Sequence, residues 1–196
     1  KFDLSLYNPV AVVYGRLVGK PGLFTLPNHI STIGMYYNTA QFDEAGIPRP
    51  NDMFERNTWT WDTYSSISKK LQRKDDSGQY TRQMINCLDW TNILYEHNAT
   101  VFDSTLKQAR LDTPEARKAF QVLQRLWAED RVIGPGYLDG FASQRLVMVN
   151  EWTSFWRFDS ITFDWDVAPY PAGDRKAALV GYGGYAIPFN SAHPQE

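Results

Sequence analysis

At 196 residues the chain can bury one substantial core and is short for two independent ones. Lys and Arg number 20 against 22 Asp and Glu, a formal charge of −2, so no basic field exists to hold nucleic acid and no acidic run suggests a tail. Cys87 stands alone, which excludes an internal disulfide and a cysteine metal cluster.

No apolar run approaches the length of a membrane-spanning helix. The opening Lys1-Phe-Asp-Leu-Ser-Leu-Tyr-Asn8 lacks the charged, apolar, small-residue order of a signal peptide, so the chain reads as cytoplasmic, mature or excised. The aromatic load of seven Trp, eleven Tyr and eleven Phe fits either a well-filled core or a groove lined with flat faces.

Residues 1–25 read as irregular or strand-rich, with Val10–Tyr14 as a short buried strand punctuated by Gly15, Gly19, Pro21 and Gly22. From Ile33 to Asn38 apolar and polar positions alternate with the period of a half-buried strand. Pro27 lacks an N–H and is expected at the strand boundary. Asn38 or Thr39 caps a short helix carrying Phe42 and Ala45, which Gly46 ends. Ile47–Asp52 is expected to be a loop because each Pro disfavours helix in the residue before it.

Thr60 is a good cap, and Tyr64, Ile67 and Leu71 mark an amphipathic helix over 61–73. Lys74–Gly78 is a turn, with too few ligands for a calcium loop. Met84–Leu88 suits a strand and Trp90–Asn98 a helix. Asp112-Thr-Pro-Glu-Ala116 is a clear helix start, and the apolar stripe from Ala116 through Phe120 to Trp127 carries that helix to about Glu129. Core packing is the expected role of its Phe and Trp. A short helix at 139–144 leads into strands at 146–149 and 163–168 and a glycine-broken strand at 179–187. Glu151-Trp-Thr-Ser-Phe-Trp156 comes directly after the first of these. The interleaving indicates an α/β domain.

No nucleophile elbow, phosphate-cradling loop or dinucleotide fingerprint occurs. Three scattered His give no zinc spacing. Asn98-Ala-Thr100 matches a glycosylation sequon, a pattern that is common by chance. Glu151 with Asp164 or Asp166 could form a glycosidase pair, which needs two carboxyl groups set across a sugar. Binding without chemistry fits better. A sugar is held by flat aromatic faces on its C–H patches and planar polar groups at its hydroxyl rim. Tyr36 with Asn38, Glu151-Trp152 and Gly181-Tyr-Gly-Gly184 supply that combination, the glycines letting backbone approach a ligand or, alternatively, a neighbouring strand.

In order, Leu-Pro…Met-Tyr-Tyr-Asn38, Phe42-Asp-Glu-Ala-Gly-Ile-Pro48, Trp59-Thr-Trp-Asp-x-Tyr64, Asp-Thr-Pro-Glu-Ala116, Met148 leading to Trp152, Phe163-Asp-Trp-Asp-Val-Ala-Pro-x-Pro171 and the glycine run ending Tyr185-Ala-Ile187 resemble the extracellular sugar-binding proteins of bacterial ABC importers. These are relatives of the maltose and maltodextrin receptors. The resemblance implies one lobe of a type 2 periplasmic-binding-protein fold, a mixed sheet flanked by helices, with strands crossing between lobes.

It implies a remnant of the N-terminal lobe at 1–30, the C-terminal lobe at 31–180 and a return strand at 181–196. Members are about twice as long, so the chain resembles a central portion and is expected to bind sugar weakly or not at all alone. By the likeness, Tyr36 and Asn38 face the ligand, with His29 and Ser31 beside them. Trp152 stacks on the sugar next to Glu151, Gly181, Tyr182 and Gly183 form the glycine-rich turn, and Trp90 sits at a strand end. Glu151 stands where a small residue is usual. The implied partners are a sugar and the permease subunits of the importer, with no cofactor, no metal and no nucleic acid. The protein would be a monomer, periplasmic or extracellular, and lipid-anchored in a Gram-positive cell.

Overall fold

The computed structural model describes residues 3–17, 19–153 and 159–193. The chain forms two compact units, one of residues 1–32 with 180–196 and one of residues 33–179. Strand β1, Leu26–Asn38, has its first half in the smaller unit and its second half in the larger.

In the smaller unit, β1 pairs antiparallel with β6, Val180–Tyr185. Pro27 lies inside β1 near its start, and the ladder there slips by a residue between Pro27 and His29, the irregularity a missing N–H provokes. Val10–Tyr14 is not a strand. Helix α1, Pro9–Tyr14, begins with Asn8 accepting from Val10 N at 2.9 Å and Pro9 in its first turn. A cap followed by Pro outweighs the strand preference of three β-branched residues, and Val10, Val13 and Tyr14 are exposed.

In the larger unit, β1 runs between β4, Met148–Trp152, and β5, Trp165–Ala168, both antiparallel to it. The alternation in its sequence is the organising fact. Ile33, Met35 and Tyr37 enter the main core, while Tyr36 enters a separate small cluster with Phe141 and Val149. Asn38 Oδ1 accepts from Gln41 N at 3.2 Å and starts α2, Thr39–Glu44.

The 47–52 segment is a loop only as far as Arg49. Helix α3, Pro50–Glu55, uses Pro50 as its first residue, where the absent N–H costs nothing. Helix α4, Trp61–Leu71, is capped by Thr60 Oγ1 and buries Trp61, Tyr64, Ile67 and Leu71. A hairpin of β2, Arg73–Lys74, and β3, Tyr80–Arg82, comes next.

Residues 84–88 make an isolated bridge at Ile85 with Ile133 in place of a strand. Then come α5, Trp90–Glu96, and α6, Pro114–Gln124, continued as a π turn over Arg125–Glu129. The stripe of α6 is core only in part: Ala116, Ala119 and Leu126 are fully buried, but Trp127 projects into solvent. Helix α7, Leu138–Ala142, covers the Tyr36 side of the sheet through Leu138 and Phe141. The result is a mixed α/β lobe with helices flanking an antiparallel sheet.

Candidate ligand-binding site

Strand register decides which expected residues can act together, because directly paired residues share a face. In the larger unit Gly34 pairs with Glu151, Tyr36 with Val149 and Val167, and Asn38 with Trp165. These positions form one face. On the opposite one, Ile33 pairs with Trp152, and Trp152 packs against the main core. Tyr36 and Trp152, expected to flank one ligand, are therefore on opposite sides of the sheet.

The Tyr36 face holds the distinctive chemistry. Glu151 is only 5% exposed. Its Oε1 accepts from the N–H of the next residue, Trp152, at 2.7 Å, and its Oε2 is buried with no hydrogen-bond partner among the described residues. Burial pushes the Glu151 carboxyl above its ordinary range. Burial, then the nearby Glu151 charge, pushes the Tyr36 phenol up too.

Glycine at position 34 makes room, since a Cβ there would lie 2.7 Å from Val167 Cγ2. Trp165 lies tilted against Tyr36 with ring centres 5.6 Å apart, and remains 39% exposed. Trp165 was not among the residues expected to bind, although its place in Asp-Trp-Asp on a strand was the available signal. Ser154 to Trp156, the rest of the aromatic run after Glu151, lie outside the described residues.

Asn38 and Trp90 have other work. Asn38 is fully buried as the cap of α2. Trp90 opens helix α5, not the end of a strand, and its half-exposed ring stacks on Phe120 at 6.3 Å.

In the smaller unit His29 pairs with Gly183 and Ser31 with Gly181, so these four share one face of the β1–β6 ladder. Tyr182 pairs with Ile30 on the other face. It stacks on Tyr14 at 6.0 Å, and its hydroxyl is 2.6 Å from Thr25 Oγ1. The space at Gly183 and Gly184 is filled by the protein itself. A Cβ at Gly183 would lie 2.1 Å from His29 Cε1, and one at Gly184 would lie 2.4 Å from the Tyr182 hydroxyl. At these two positions close side-chain packing, not an open approach for a ligand, accounts for glycine.

The pairing of Glu151 with Asp166 fails on the same geometry. Asp166 pairs with Tyr37, on the face opposite Glu151, and accepts from the Tyr37 hydroxyl at 3.2 Å and Asn51 Nδ2 at 2.9 Å. Two carboxyl groups on opposite sides of a sheet cannot flank one glycosidic bond.

The bacterial extracellular solute-binding protein model matches residues 8–196. The chain belongs to that family. No curated relative matches it. Among solved structures it is similar to an ABC substrate-binding protein from Listeria monocytogenes in complex with cycloalternan. The two share 20% identity and a TM-score of 0.83 over 98% of this chain and 50% of that one. It also resembles UgpB from Mycobacterium tuberculosis in complex with glycerophosphocholine, at 21% identity and a TM-score of 0.76 over 97% of this chain and 48% of that one. MalE from Bdellovibrio bacteriovorus bound to maltotriose gives 16% identity and a TM-score of 0.76 over 96% and 50%. The chain thus spans about half the length of the structures it matches.

Proposed function

We propose that the protein binds a mono- or oligosaccharide and passes it unchanged to the membrane subunits of an ABC importer, as a monomer outside the cytoplasmic membrane. In the larger unit the proposed contacts are Tyr36, Glu151 and Trp165. In the smaller they are His29, Ser31 and Gly181. Asn38, Trp90, Trp152 and Tyr182 are left to the fold by the contacts they already make.

The observation that carries the reading is the Glu151 carboxylate, buried near Tyr36 with one oxygen unclaimed among the described residues, on the sheet face where the partly exposed Trp165 packs against Tyr36. A planar acceptor next to aromatic rings is what a sugar hydroxyl and its C–H face require. Absence of chemistry is part of the proposal, and Asp166, one of the two acids weighed as a partner for Glu151, is on the other face of the sheet. Solute-binding relatives of this fold carry cycloalternan, maltotriose and glycerophosphocholine, which sets the panel to test.

Thermal-shift screening of the protein in its natural full length against maltodextrins, cyclic glucans, monosaccharides and glycerophosphocholine is expected to show stabilisation by a sugar. At a hundredfold excess over Kd the gain is about 2.7 kcal/mol. Trp165→Ala should lower that sugar's affinity at least about tenfold, as loss of a stacked ring does. Stabilisation by glycerophosphocholine alone, or by no compound in the panel, would overturn the sugar assignment.

A further inference from the structure

Between the β2–β3 hairpin and the π turn that continues α6, the larger unit has an open concavity of about 440 Å³. Tyr80, Gln83, Trp127, Ala128, Arg131 and Ile133 line it. None of them belongs to the proposed sugar site, so a ligand here is independent of that reading.

Trp127 is an expected core residue that the fold puts outside. Seven residues after Phe120, it would continue the apolar stripe of a regular helix. The π turn over Arg125–Glu129 shifts that register: Leu126 takes the core position, and Trp127 is 69% exposed. Such turns recur at functional sites. A large ring held in water at the wall of a concavity offers a flat surface for stacking.

Arg131 stands where a helix end favours glycine. Its φ is 51°, in the left-handed region that a Cβ makes costly. The backbone around it is fixed. Val132 N donates to Leu126 O at 3.1 Å, and Gln83 Nε2 donates to Arg131 O at 2.8 Å and to Ile133 O at 2.7 Å. An arginine kept in this position sacrifices stability that glycine would return. Its side chain is exposed and has no hydrogen-bond or ion-pair partner among the described residues.

The lining selects a negative charge. Arg131 is its one charged residue, and no carboxylate is among the six. Lys74 adds a cation at the rim, its Nζ 4.5 Å from the centre of the Tyr80 ring. Of the acids nearby in the chain, Asp130 is buried with its oxygens on Ser65 Oγ and Lys69 Nζ, and Asp75 Oδ1 accepts from Ser77 N and Gln79 N in its own turn. Asp76 and Glu129 are exposed and outside the lining.

The remaining groups choose the kind of anion. Gln83 Nε2 already donates to two backbone carbonyls. That leaves the Tyr80 hydroxyl and the guanidinium, too few to satisfy the hydroxyl rim of a sugar. Trp127, Tyr80, Ala128 and Ile133 supply apolar surface. We propose that this concavity binds a small planar aromatic monocarboxylate, its carboxylate on the Arg131 guanidinium and its ring against Trp127.

The test is titration of the folded protein at neutral pH and constant ionic strength with benzoate, acetate, benzyl alcohol and maltose, following the Trp127 Nε1–H resonance by NMR. Benzoate should shift it with a roughly millimolar Kd. Acetate, which lacks the ring, and benzyl alcohol, which lacks the charge, should each bind at least about tenfold more weakly. Arg131→Gly suits the left-handed backbone, so it should unfold in urea no earlier than the wild type and bind benzoate at least about tenfold more weakly. A Trp127 resonance unmoved by about 50 mM benzoate overturns the proposal, and this readout needs no variant to fold. Benzyl alcohol binding as tightly as benzoate, or benzoate binding untouched by Arg131→Gly, overturns it equally. Maltose binding tighter than benzoate at this resonance would make the concavity a sugar subsite and overturn it too.

Discussion

The larger unit buries two glutamates, and they are treated differently. Glu96, fully buried, has a donor on each oxygen: Trp61 Nε1 reaches Oε2 at 2.6 Å and Asn92 Nδ2 reaches Oε1 at 2.6 Å. Glu151, on the second face of the sheet, has one oxygen bonded to its own neighbour's N–H and the other with no partner among the described residues. Both carboxyls are pushed up by burial, Glu96 to about 9. A buried acid with a full set of donors belongs to the core, where it fixes α4 against α5. One left half-satisfied on the sheet face that also carries a partly exposed aromatic ring is poised for something from outside.

Breaking the satisfied side gives the largest expected effect. Glu96→Ala leaves the Trp61 and Asn92 N–H groups unpaired in a closed interior and opens a cavity. We expect a loss of about 3 kcal/mol of unfolding free energy, read from urea denaturation. A loss under about 1 kcal/mol would mean that Glu96 holds nothing that water cannot replace.

The pH dependence sharpens the comparison. Because the folded pKa of Glu96 is raised, the folded state keeps a proton that the unfolded chain releases. Stability from this group is therefore full below the unfolded carboxyl value, 4.5, and is lost as pH rises to about 9. One proton limits the slope to about 1.4 kcal/mol per pH unit. Glu96→Gln should flatten the decline between pH 5 and 9, measured as unfolding free energy at successive pH values. An unchanged slope would place the titrating group elsewhere.

How much of this was legible in the sequence depends on how local the cause was. Capping signals act within a few residues, so Thr60, Thr113 with Pro114, and Asn38 placed three helices correctly. Asn8-Pro9 carried the same signal and was masked by the β-branched run behind it. The alternation in Ile33–Asn38 gave the two faces of β1, but not which strand-end residues would join each face. That is set by register with β4, where a one-residue difference moves Trp152 to the opposite side from Tyr36.

The smallest expected effect is the most discriminating, because its two readouts move in opposite directions. Glu151→Gln keeps an oxygen for the Trp152 N–H and removes a buried charge with an unclaimed lone pair. Above the unfolded carboxyl pKa the wild-type group resists ionisation in the fold, so the substitution should raise stability slightly at neutral pH, by less than Glu96→Ala lowers it. The same substitution should weaken sugar binding in the full-length protein by about tenfold, since a charged acceptor grips a hydroxyl more firmly than a neutral amide. Residues that hold a fold together lose stability when altered, whereas residues kept for a ligand sacrifice it while present. If Glu151→Gln destabilises the protein and leaves sugar affinity unchanged, Glu151 belongs with Glu96, and the second face of the sheet is only a second core.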